Sequence, residues 1–338
     1  MVDEAQGDAG GQPEQIRYDG RVAIVTGAGN GMGRHYALSL AARGAKVVVN
    51  DLGLDTSGAP LAASDDSPAQ AVVREIVASG GEAVACHESC ATRDGGAAIV
   101  KAALDAFGRL DILVHNAGFL RNAPFEALDD TQIRSILDVH LMAGFYVGQP
   151  AFSAMKKNGF GRILLTSSAS AMFGSHWQAN YSAAKAGLVG LVNAIAVEGA
   201  EFGITANGLL PAGSGRLGTA TDLDWPDSFY ARLNPDMGMV VPAMTTDFVT
   251  PMVLWLVSER CQTTHSVYSA TAGRYAKVLI AATNGWLSNY DAAPSPEDIE
   301  RHIAEIDDPS IIHTPQHVLD EFAPIIELRK RFLEGANT

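Results

Sequence analysis

Cysteine is scarce in this sequence of 338 residues, which contains only Cys86, Cys90 and Cys261. Cys86 and Cys90 lie close together, but no second close pair follows that would close a zinc site. Three thiols cannot all pair within one chain, so we expect reduced, partly buried cysteines. The pattern predicts neither a disulfide-stabilised secreted fold nor a metal centre, and it favours a reducing compartment.

Positive charge is also in short supply, because 24 lysines and arginines face 38 aspartates and glutamates and leave a formal net charge of -14. A broadly acidic surface repels nucleic-acid phosphates and anionic membranes. We therefore expect no nucleic-acid partner. A phosphorylated small molecule is still compatible with this charge where helix N-termini or local cations receive it.

Long apolar runs are missing as well. No stretch approaches the about 20 apolar residues of a membrane span, and residues 1–17 lack the basic start and apolar run of an export signal. The C-terminal letters GANT differ from a peroxisomal SKL-type address. We expect no membrane span and a cytoplasmic location.

The residues that are present favour a folded α/β domain, because 47% are hydrophobic and only 18% are charged. Short apolar runs alternate with amphipathic stretches of helical length. The runs are VAIVT (22–26), AKVVVN (45–50), EAVAC (82–86), DILVH (111–115), RILLTS (162–167), ITANGLL (204–210) and SVYSA (266–270). This alternation predicts a doubly wound, Rossmann-type sheet of seven parallel strands with helices on both faces.

The same pattern predicts the domain organisation. Residues 1–19 are expected to form a flexible tail and residues 20–273 the Rossmann domain. Within that domain, residues 212–250 are rich in Gly, Pro, Asp and Met and lack a strong strand, which is typical of a substrate lid or of a surface insertion without function. Residues 274–338 are expected to form a helical C-terminal extension, with a helix start at SPEDIERHIAEI (295–306).

A glycine-rich loop joins the first predicted strand to the first helix. The letters TGAGNGMGR (26–34) place Gly27, Asn30, Gly31, Met32 and Gly33 at this junction. Glycine allows positive φ and a close approach of phosphate to the backbone, while the helix N-terminus presents free N–H groups. The loop therefore predicts a pyrophosphate site, because its position between a strand and a helix is that of a dinucleotide-binding loop.

An acidic residue after the second strand indicates which dinucleotide binds. Asp51 follows the strand VVVN, twenty-four residues after Gly27, where a carboxylate accepts hydrogen bonds from both adenosine ribose hydroxyls. It would repel the 2′-phosphate of NADP, and no lysine or arginine adjoins it. The expected cofactor is NAD. After the fourth strand, Asn116, Ala117 and Gly118 form a turn that approaches the cofactor, with the Asn116 side chain satisfying strand-end backbone groups.

The expected reaction centre is on the longest predicted helix and the neighbouring strand end. Tyr181 and Lys185 are four residues apart and share a helix face, and Ser167 and Ser168 end the fifth strand at the ligand crevice. A free tyrosine has a pKa of about 10, but an ammonium about 4 Å away contributes up to roughly 4 kcal/mol to the phenolate, or about three pKa units. Tyr181 is therefore expected to act as base or acid, with a serine hydroxyl bound to the substrate oxygen.

Together these motifs resemble the short-chain dehydrogenase/reductase family over residues 20 to about 275. The thirteen-residue interval from Ser168 to Tyr181 matches the family spacing, which favours Ser168 over Ser167 as the catalytic serine. By this resemblance Lys185 also holds the nicotinamide ribose, Tyr181 borders the cofactor, and Pro211 and Thr219 contact it. Glu88 stands where the family has an adenine-contacting aspartate.

His140 is the main departure from the family pattern, since it stands in VHLMAG where the family usually has a catalytic asparagine. Two interpretations are open: the imidazole holds a proton-relay water, or it is a packed helix residue.

Within the family, the (3R)-hydroxyacyl-CoA dehydrogenase part of peroxisomal multifunctional enzyme type 2 is similar in five stretches. These are VVVNDLG (47–53), ALDAFGR (103–109), TSSAS (166–170), QANYSAAK (178–185) and VLWLV (253–257).

The resemblance implies a (3R)-hydroxyacyl-CoA substrate, with a hydroxysteroid or other secondary alcohol as the alternative. A third hypothesis is an NAD-binding regulatory protein without turnover. Ser168, Phe173 and Trp177 are expected to contact the substrate, and Arg216 is a candidate contact for its phosphates. Family members usually assemble as homodimers or homotetramers, and the apolar helix at 186–197 is consistent with that.

Overall fold

The computed structural model describes residues 14–54, 67–213, 225–233, 235–290 and 292–335. In these ranges the strands are β1 (Val22–Thr26), β2 (Lys46–Asn50), β3 (Glu82–Cys86), β4 (Ile112–His115), β5 (Gly161–Thr166), β6 (Ile204–Ala212), β7 (Ser266–Thr271), β8 (Arg274–Val278), β9 (Ala282–Thr283) and β10 (Ile312–His313). The helices are α1 (Gly31–Ala41), α2 (Pro68–Ala78), α3 (Arg93–Phe107), α4 (Asp130–Leu137), α5 (Ala143–Asn158), α6 (Ala169–Phe173), α7 (Ala179–Gly199), α8 (Asp227–Tyr230), α9 (Thr246–Leu256), α10 (Pro296–Ile306) and α11 (Phe322–Gly335).

The first eight strands form one sheet in the order β3-β2-β1-β4-β5-β6-β7-β8. Strands β1 to β7 are parallel, whereas β8 runs antiparallel to β7. The predicted doubly wound α/β fold is confirmed, with β8 as an additional edge strand. Because the chain winds in opposite directions from β1 and β4, a crevice opens at the carboxyl ends of these two strands.

Helices cover both faces of the sheet, as predicted. On one face, Leu40 of α1, Val72 of α2 and Val253 of α9 belong to a single buried cluster. On the other face, Val147 of α5 and Leu188 of α7 belong to a second cluster together with α3. The strands between these layers are buried on both sides, which explains their continuous apolar runs.

The chain begins to pack earlier than the predicted domain start at residue 20. Tyr18 is only 2% exposed, its hydroxyl donates to the backbone oxygen of Leu254, and its N–H donates to the oxygen of Arg43 at 2.9 Å. The expectation of a flexible tail as far as residue 19 is therefore wrong at Tyr18, because a buried tyrosine fixes the chain against α9. Residues 1–13 lie outside the described part.

The predicted lid at 212–250 contains more regular structure than its composition indicated. Strand β6 continues to Ala212, α8 occupies Asp227–Tyr230, and α9 begins at Thr246. The lid role stays a prediction.

The C-terminal extension is not wholly helical, which corrects the expectation from its sequence. It starts with β8, and β9 pairs with β10 in a separate antiparallel two-stranded sheet. The predicted helix near residue 295 is present as α10. Ser295 caps it, since the Asp298 N–H donates to Ser295 Oγ at 3.2 Å and the Ser295 N–H donates to Asp298 Oδ2 at 2.9 Å.

One described helix, α7 with its following turn (Ala179–Phe202), is long and apolar enough to cross a membrane by length and composition alone. The sequence analysis identified residues 186–197 of this helix as apolar but predicted no membrane span. Its Leu188, Val192 and Ala196 pack into the core beside the sheet, which is the arrangement of a core helix.

Candidate active site

The loops after β1, β2, β3 and β4 meet at the carboxyl edge of the sheet and enclose a pocket. The pocket is lined by Gly27, Asn50, Asp51, Leu52, Leu54, Glu88, Ser89, Cys90, Ala117, Gly118, Phe119 and Val139. Five of the residues predicted to bind a dinucleotide are therefore brought together here: Gly27, Asp51, Glu88, Ala117 and Gly118.

The glycine-rich loop passes so close to its neighbours that side chains would not fit. A Cβ on Gly27 would lie 2.7 Å from Ala117 Cα, and one on Gly33 would lie 2.2 Å from the oxygen of Gly27. Gly27 and Gly31 also have positive φ angles of 64° and 54°, which favour glycine. A loop with glycine at these close approaches, at the start of α1, fits a dinucleotide pyrophosphate.

Asp51 is held in a fixed position at the end of β2. Its carboxylate accepts the N–H of Gly29 and the N–H of Gly53, both at 2.8 Å, and the residue is 6% exposed. Each carboxylate oxygen has a second lone-pair direction. The side chain can therefore still accept a ribose hydroxyl while it braces the glycine-rich loop.

The other predicted cofactor contacts of the glycine-rich loop and the later strands do not line this pocket themselves. Asn30 is the N-cap of α1, and Met32 lies partly buried in its first turn. The backbone oxygen of Glu88 accepts the Asn50 amide at 2.9 Å. Pro211 lies near the end of β6. Thr219 lies outside the described residues.

Asn116 ties β4 to the glycine-rich loop. Its backbone N–H donates to Thr26 Oγ1 at 3.0 Å, and its side-chain amide lies 3.3 Å from the oxygen of Thr26 and 3.4 Å from that of Gly27. The Ala117 N–H also donates to Thr26 Oγ1, at 3.1 Å. The threonine hydroxyl therefore joins the two loops that border the pocket.

The two serines at the end of β5 have different partners. Ser167 is buried, and its hydroxyl donates to the backbone oxygen of Lys185 at 2.7 Å. Ser168 caps α6, and its side chain interacts with the phenol of Tyr181 and lowers the pKa of that group. Of the two serines, Ser168 is therefore the one that affects the predicted base.

Lys185 and Tyr181 lie one turn apart on α7. The lysine is 3% exposed, its ammonium donates to the oxygen of Thr166 at 2.6 Å, and its Nζ lies 5.6 Å from the centre of the Tyr181 ring. Ser168, Tyr181 and Lys185 thus form one cluster between β5 and α7.

The protonation of this cluster differs from the sequence expectation. Burial raises the pKa of Tyr181, and only the Ser168 hydrogen bond lowers it. Burial also lowers the pKa of Lys185 to about 7. The Lys185 charge is not among the causes that set the Tyr181 pKa in the protein without ligand, so the expected lowering by that charge stays a prediction for the protein with its ligands bound.

His140 lies at the bottom of the site in a π-turn, Asp138–Met142. It is 1% exposed, its ring meets the Tyr181 ring edge-on at 5.1 Å, and its Nε2 lies 2.8 Å from the oxygen of Phe119. Its Nδ1 is buried with no hydrogen-bond partner among the described protein atoms. The ring is packed, as one interpretation held, and the proton-relay water of the other interpretation stays a prediction. Burial and Lys185 lower its pKa well below the usual value, so the ring is neutral.

A second cleft adjoins the far end of α6. It is lined by Phe173, Gly174, Ser175, His176, Phe229, Arg232 and Leu233, so the predicted substrate contact Phe173 faces the predicted lid. Trp177 lies two residues before α7, with a positive φ of 56°, and does not line this cleft. Arg216, the predicted phosphate contact, lies outside the described residues.

Comparison with known proteins agrees with this geometry. The family model for short chain dehydrogenases matches residues 21–222. The chain belongs to the short-chain dehydrogenase family. A Mycobacterium tuberculosis protein described as a short-chain type dehydrogenase/reductase is 41% identical over 85% of this chain and 94% of its own length.

Peroxisomal multifunctional enzyme type 2 of mouse is 40% identical over 93% of this chain. The chain spans only 40% of that relative's length. Among solved structures, 7α-hydroxysteroid dehydrogenase complexed with NADH and 7-oxo glycochenodeoxycholic acid is similar with a TM-score of 0.63 and 28% identity over 76% of this chain and 95% of its own. This short-chain dehydrogenase is therefore an oxidoreductase.

Sequence reasoning missed two residues of this short-chain dehydrogenase. His115 ends β4, is 1% exposed, and contacts both Thr26 and the π-turn of His140. The sequence shows that His115 precedes Asn116. It does not show which residues contact a histidine at the end of an apolar strand. Arg232 lines the second cleft, and no spacing rule connects the predicted lid with α6.

Proposed function

We propose that this short-chain dehydrogenase uses NAD to interconvert a secondary alcohol and a ketone, with a (3R)-hydroxyacyl-CoA as the preferred substrate. The observation that carries the proposal is the cluster of Ser168, Tyr181 and Lys185 beside the glycine-rich loop. A phenol, a hydroxyl and an amine at the carboxyl edge of the sheet are the groups needed to move one alcohol proton.

In the direction of oxidation, the Ser168 hydroxyl and the Tyr181 phenol hold the alcohol oxygen. When bound, an oxidised nicotinamide supplies a positive charge and the hydride acceptor. The alcohol proton passes to the Tyr181 oxygen as the carbonyl forms, and in reduction the same phenol returns it. Lys185 lies behind Tyr181, where its amine donates to the backbone oxygen of Thr166 at the end of β5 and would hold the nicotinamide ribose of a bound cofactor.

NAD is favoured over NADP by the carboxylate of Asp51. It is buried at the end of β2 and already accepts two backbone N–H groups. A 2′-phosphate next to this carboxylate would place two negative charges together in a poorly solvated corner.

The acyl-CoA substrate is supported by the mouse relative named peroxisomal multifunctional enzyme type 2 and by the cleft beyond α6. That cleft combines aromatic walls, Phe173 and Phe229, with the cations or potential cations Arg232 and His176. This combination suits an acyl-CoA thioester whose CoA phosphates remain near the surface. A hydroxysteroid is the second candidate, because a structural neighbour holds 7-oxo glycochenodeoxycholic acid.

The test is turnover with NAD against two panels, (3R)- and (3S)-hydroxyacyl-CoA esters of several chain lengths and a set of hydroxysteroids, read as NADH absorbance. We expect NADH from the (3R) esters. NADH from steroids alone would support the second candidate. NAD binding without NADH from any alcohol would support a regulatory protein and reject the proposal.

The matched control is Tyr181→Phe. It removes one oxygen and preserves the ring that meets His140, so NAD binding should persist while turnover falls at least about a hundredfold, the lower end of general acid–base contributions. Full turnover in this variant would remove Tyr181 from the mechanism.

We also propose a homodimer or homotetramer built on α7. Along its outer side, Ala183, Gly190, Ala194 and Val197 are exposed, and their spacing puts them on one helix face. Small and apolar side chains allow a second helix to approach closely.

A further inference from the structure

His115 contacts segments on both sides of the crevice. The proposed reaction itself assigns no role to this residue. It ends β4 and is buried at 1% exposure. Its Nδ1 lies 3.1 Å from the hydroxyl of Thr26, at the end of β1, and its Nε2 lies 3.0 Å from the backbone oxygen of His140. One imidazole therefore bridges the start of the glycine-rich loop and the π-turn.

The hydrogen bonds of Thr26 determine which nitrogen of His115 carries the proton. Thr26 Oγ1 accepts the N–H groups of Asn116 and Ala117, so its own hydrogen is left to donate to His115 Nδ1. Nδ1 must then be the acceptor and Nε2 the donor. That assignment also satisfies the other end, because the backbone oxygen of His140 can only accept.

The donated bond fixes a π-turn, a rare helical geometry that recurs at functional sites. The turn sets the His140 ring against two walls of the site. One is Tyr181, whose ring lies 5.1 Å away, edge-on. The other is Gly118, where a Cβ would come within 2.2 Å of His140 Cε1. A shift of the turn would move both walls.

We propose that His115 is a positioning residue for the dehydrogenase reaction, acting through the backbone oxygen of His140 to hold the His140 ring between Gly118 and Tyr181. The inference rests on the proposed function, because it concerns the placement of the same base. His115 touches neither of the proposed reacting groups, so its effect is on geometry alone.

Two near-isosteric variants separate its two bonds. In His115→Gln the amide nitrogen reaches the place of Nε2, and the bond to His140 is kept. In His115→Asn the amide oxygen reaches the place of Nδ1, so the bond to Thr26 is kept while the donor to His140 is lost. Each variant retains one side-chain hydrogen bond of the pair.

The measurements are kcat, KM, the Kd for NAD and the thermal midpoint of each variant. We expect His115→Asn to lower kcat about ten- to a hundredfold, as a small misplacement does, with the Kd for NAD nearly unchanged. His115→Gln should keep most of kcat.

Equal losses of kcat in both variants, in proportion to their thermal midpoints, would mean a purely structural role and overturn the inference. So would native kcat in His115→Asn. A native protein without turnover would instead overturn the proposed function, and the positioning role with it.

A measurement on the native protein covers the case in which a variant does not fold. Long-range proton–nitrogen correlation spectra of histidine-labelled protein distinguish the two neutral tautomers. We expect His115 to carry its proton on Nε2 from mildly acidic to mildly basic pH. A proton on Nδ1 would overturn the inference, because His115 would then have no donor for His140.

Discussion

At the scale of single residues, burial sets the protonation of the proposed reaction centre. Burial raises the pKa of Tyr181, and the Ser168 hydrogen bond counteracts part of that rise. The base is therefore mostly protonated at neutral pH in the protein without ligand. Oxidation needs the phenolate, whereas reduction needs the phenol, so the two directions should respond oppositely to pH.

The pH profile of Ser168→Ala tests this assignment. Below the Tyr181 pKa, kcat/KM for oxidation should rise with pH in the native enzyme as the phenolate fraction increases. Without the Ser168 hydroxyl the pKa lies higher, so the rising limb should move to higher pH in addition to any loss of rate. Ser167→Ala is the control, since that hydroxyl donates to the backbone of Lys185. A limb unmoved by Ser168→Ala would contradict the bond between Ser168 and Tyr181.

Trp177 has a backbone conformation that bulky residues rarely adopt. Its φ is 56°, which costs a non-glycine residue about 1–3 kcal/mol. The strain is fixed by neighbours: the Ala123 N–H donates to the oxygen of Trp177 at 3.0 Å, and the buried Gln178 accepts the hydroxyl of Ser170, also at 3.0 Å. That the indole contacts the substrate stays a prediction, which the following variant tests.

Trp177→Gly should raise KM for the preferred substrate severalfold. Its free energy of unfolding should change little, because relief of backbone strain offsets the lost indole contacts. Ala272→Gly is the matched control: Ala272 has a φ of 48° in the turn between β7 and β8, so glycine there should stabilise by up to about 1 kcal/mol with KM unchanged. Steady-state kinetics and denaturant unfolding measure both, and an unchanged KM in Trp177→Gly would remove the indole from substrate binding.

At the scale of elements, the cleft between α6 and α8 should determine how the enzyme distinguishes CoA esters from simpler thioesters. Arg232→Gln should raise KM for hydroxyacyl-CoA about tenfold, as loss of a charge-assisted hydrogen bond of about 1.5 kcal/mol would do. KM for the corresponding N-acetylcysteamine thioester, which lacks phosphates, should stay the same. Lys157→Gln removes an equal charge from an exposed position at the end of α5 and should leave both unchanged. Equal effects of Arg232→Gln on both esters would contradict a phosphate contact.

The elements also show what the sequence could and could not predict. Strands β1 to β7 were predictable because each contains a short apolar run, and β1, β2, β4 and β5 are almost wholly buried between two helical layers. Strand β8 was missed because RYAKV mixes charged and apolar residues on an edge, where one side meets solvent. The start of α10 was predictable from local capping by Ser295, which needs no tertiary partner.

The same distinction between local pattern and tertiary contact applies to the site. Ser168, Tyr181 and Lys185 were predictable because their spacing is a property of one strand end and one helix. The raised Tyr181 pKa, the π-turn of His140 and the bridge through His115 were not, because each depends on burial or on contacts between distant segments. Sequence spacing predicts which groups converge, whereas packing determines their charge.

At the scale of the whole molecule, many apolar side chains of the described residues are exposed at positions outside the crevice. No described side chain of the C-terminal extension is buried, and its exposed apolar residues include Leu279, Ile280, Ile303, Val318 and Phe322. The outer side of α7 adds its stripe of small residues. Apolar area of this kind marks interaction surfaces in soluble proteins, and a second copy of the chain is the partner that our proposed homo-oligomer supplies.

Ala194→Arg tests that assembly at the centre of the α7 stripe. Ala194 is exposed, and a guanidinium there would hold two helices apart, so the oligomer should dissociate at concentrations where the native protein remains assembled. Ala97→Arg makes the same change at an exposed position of α3 and should leave the mass unchanged. Light scattering after size exclusion gives the mass of each. An Ala194→Arg variant with the native mass would show that α7 is not the contact, whereas a folded monomer that still turns over would show that the site is complete within one chain.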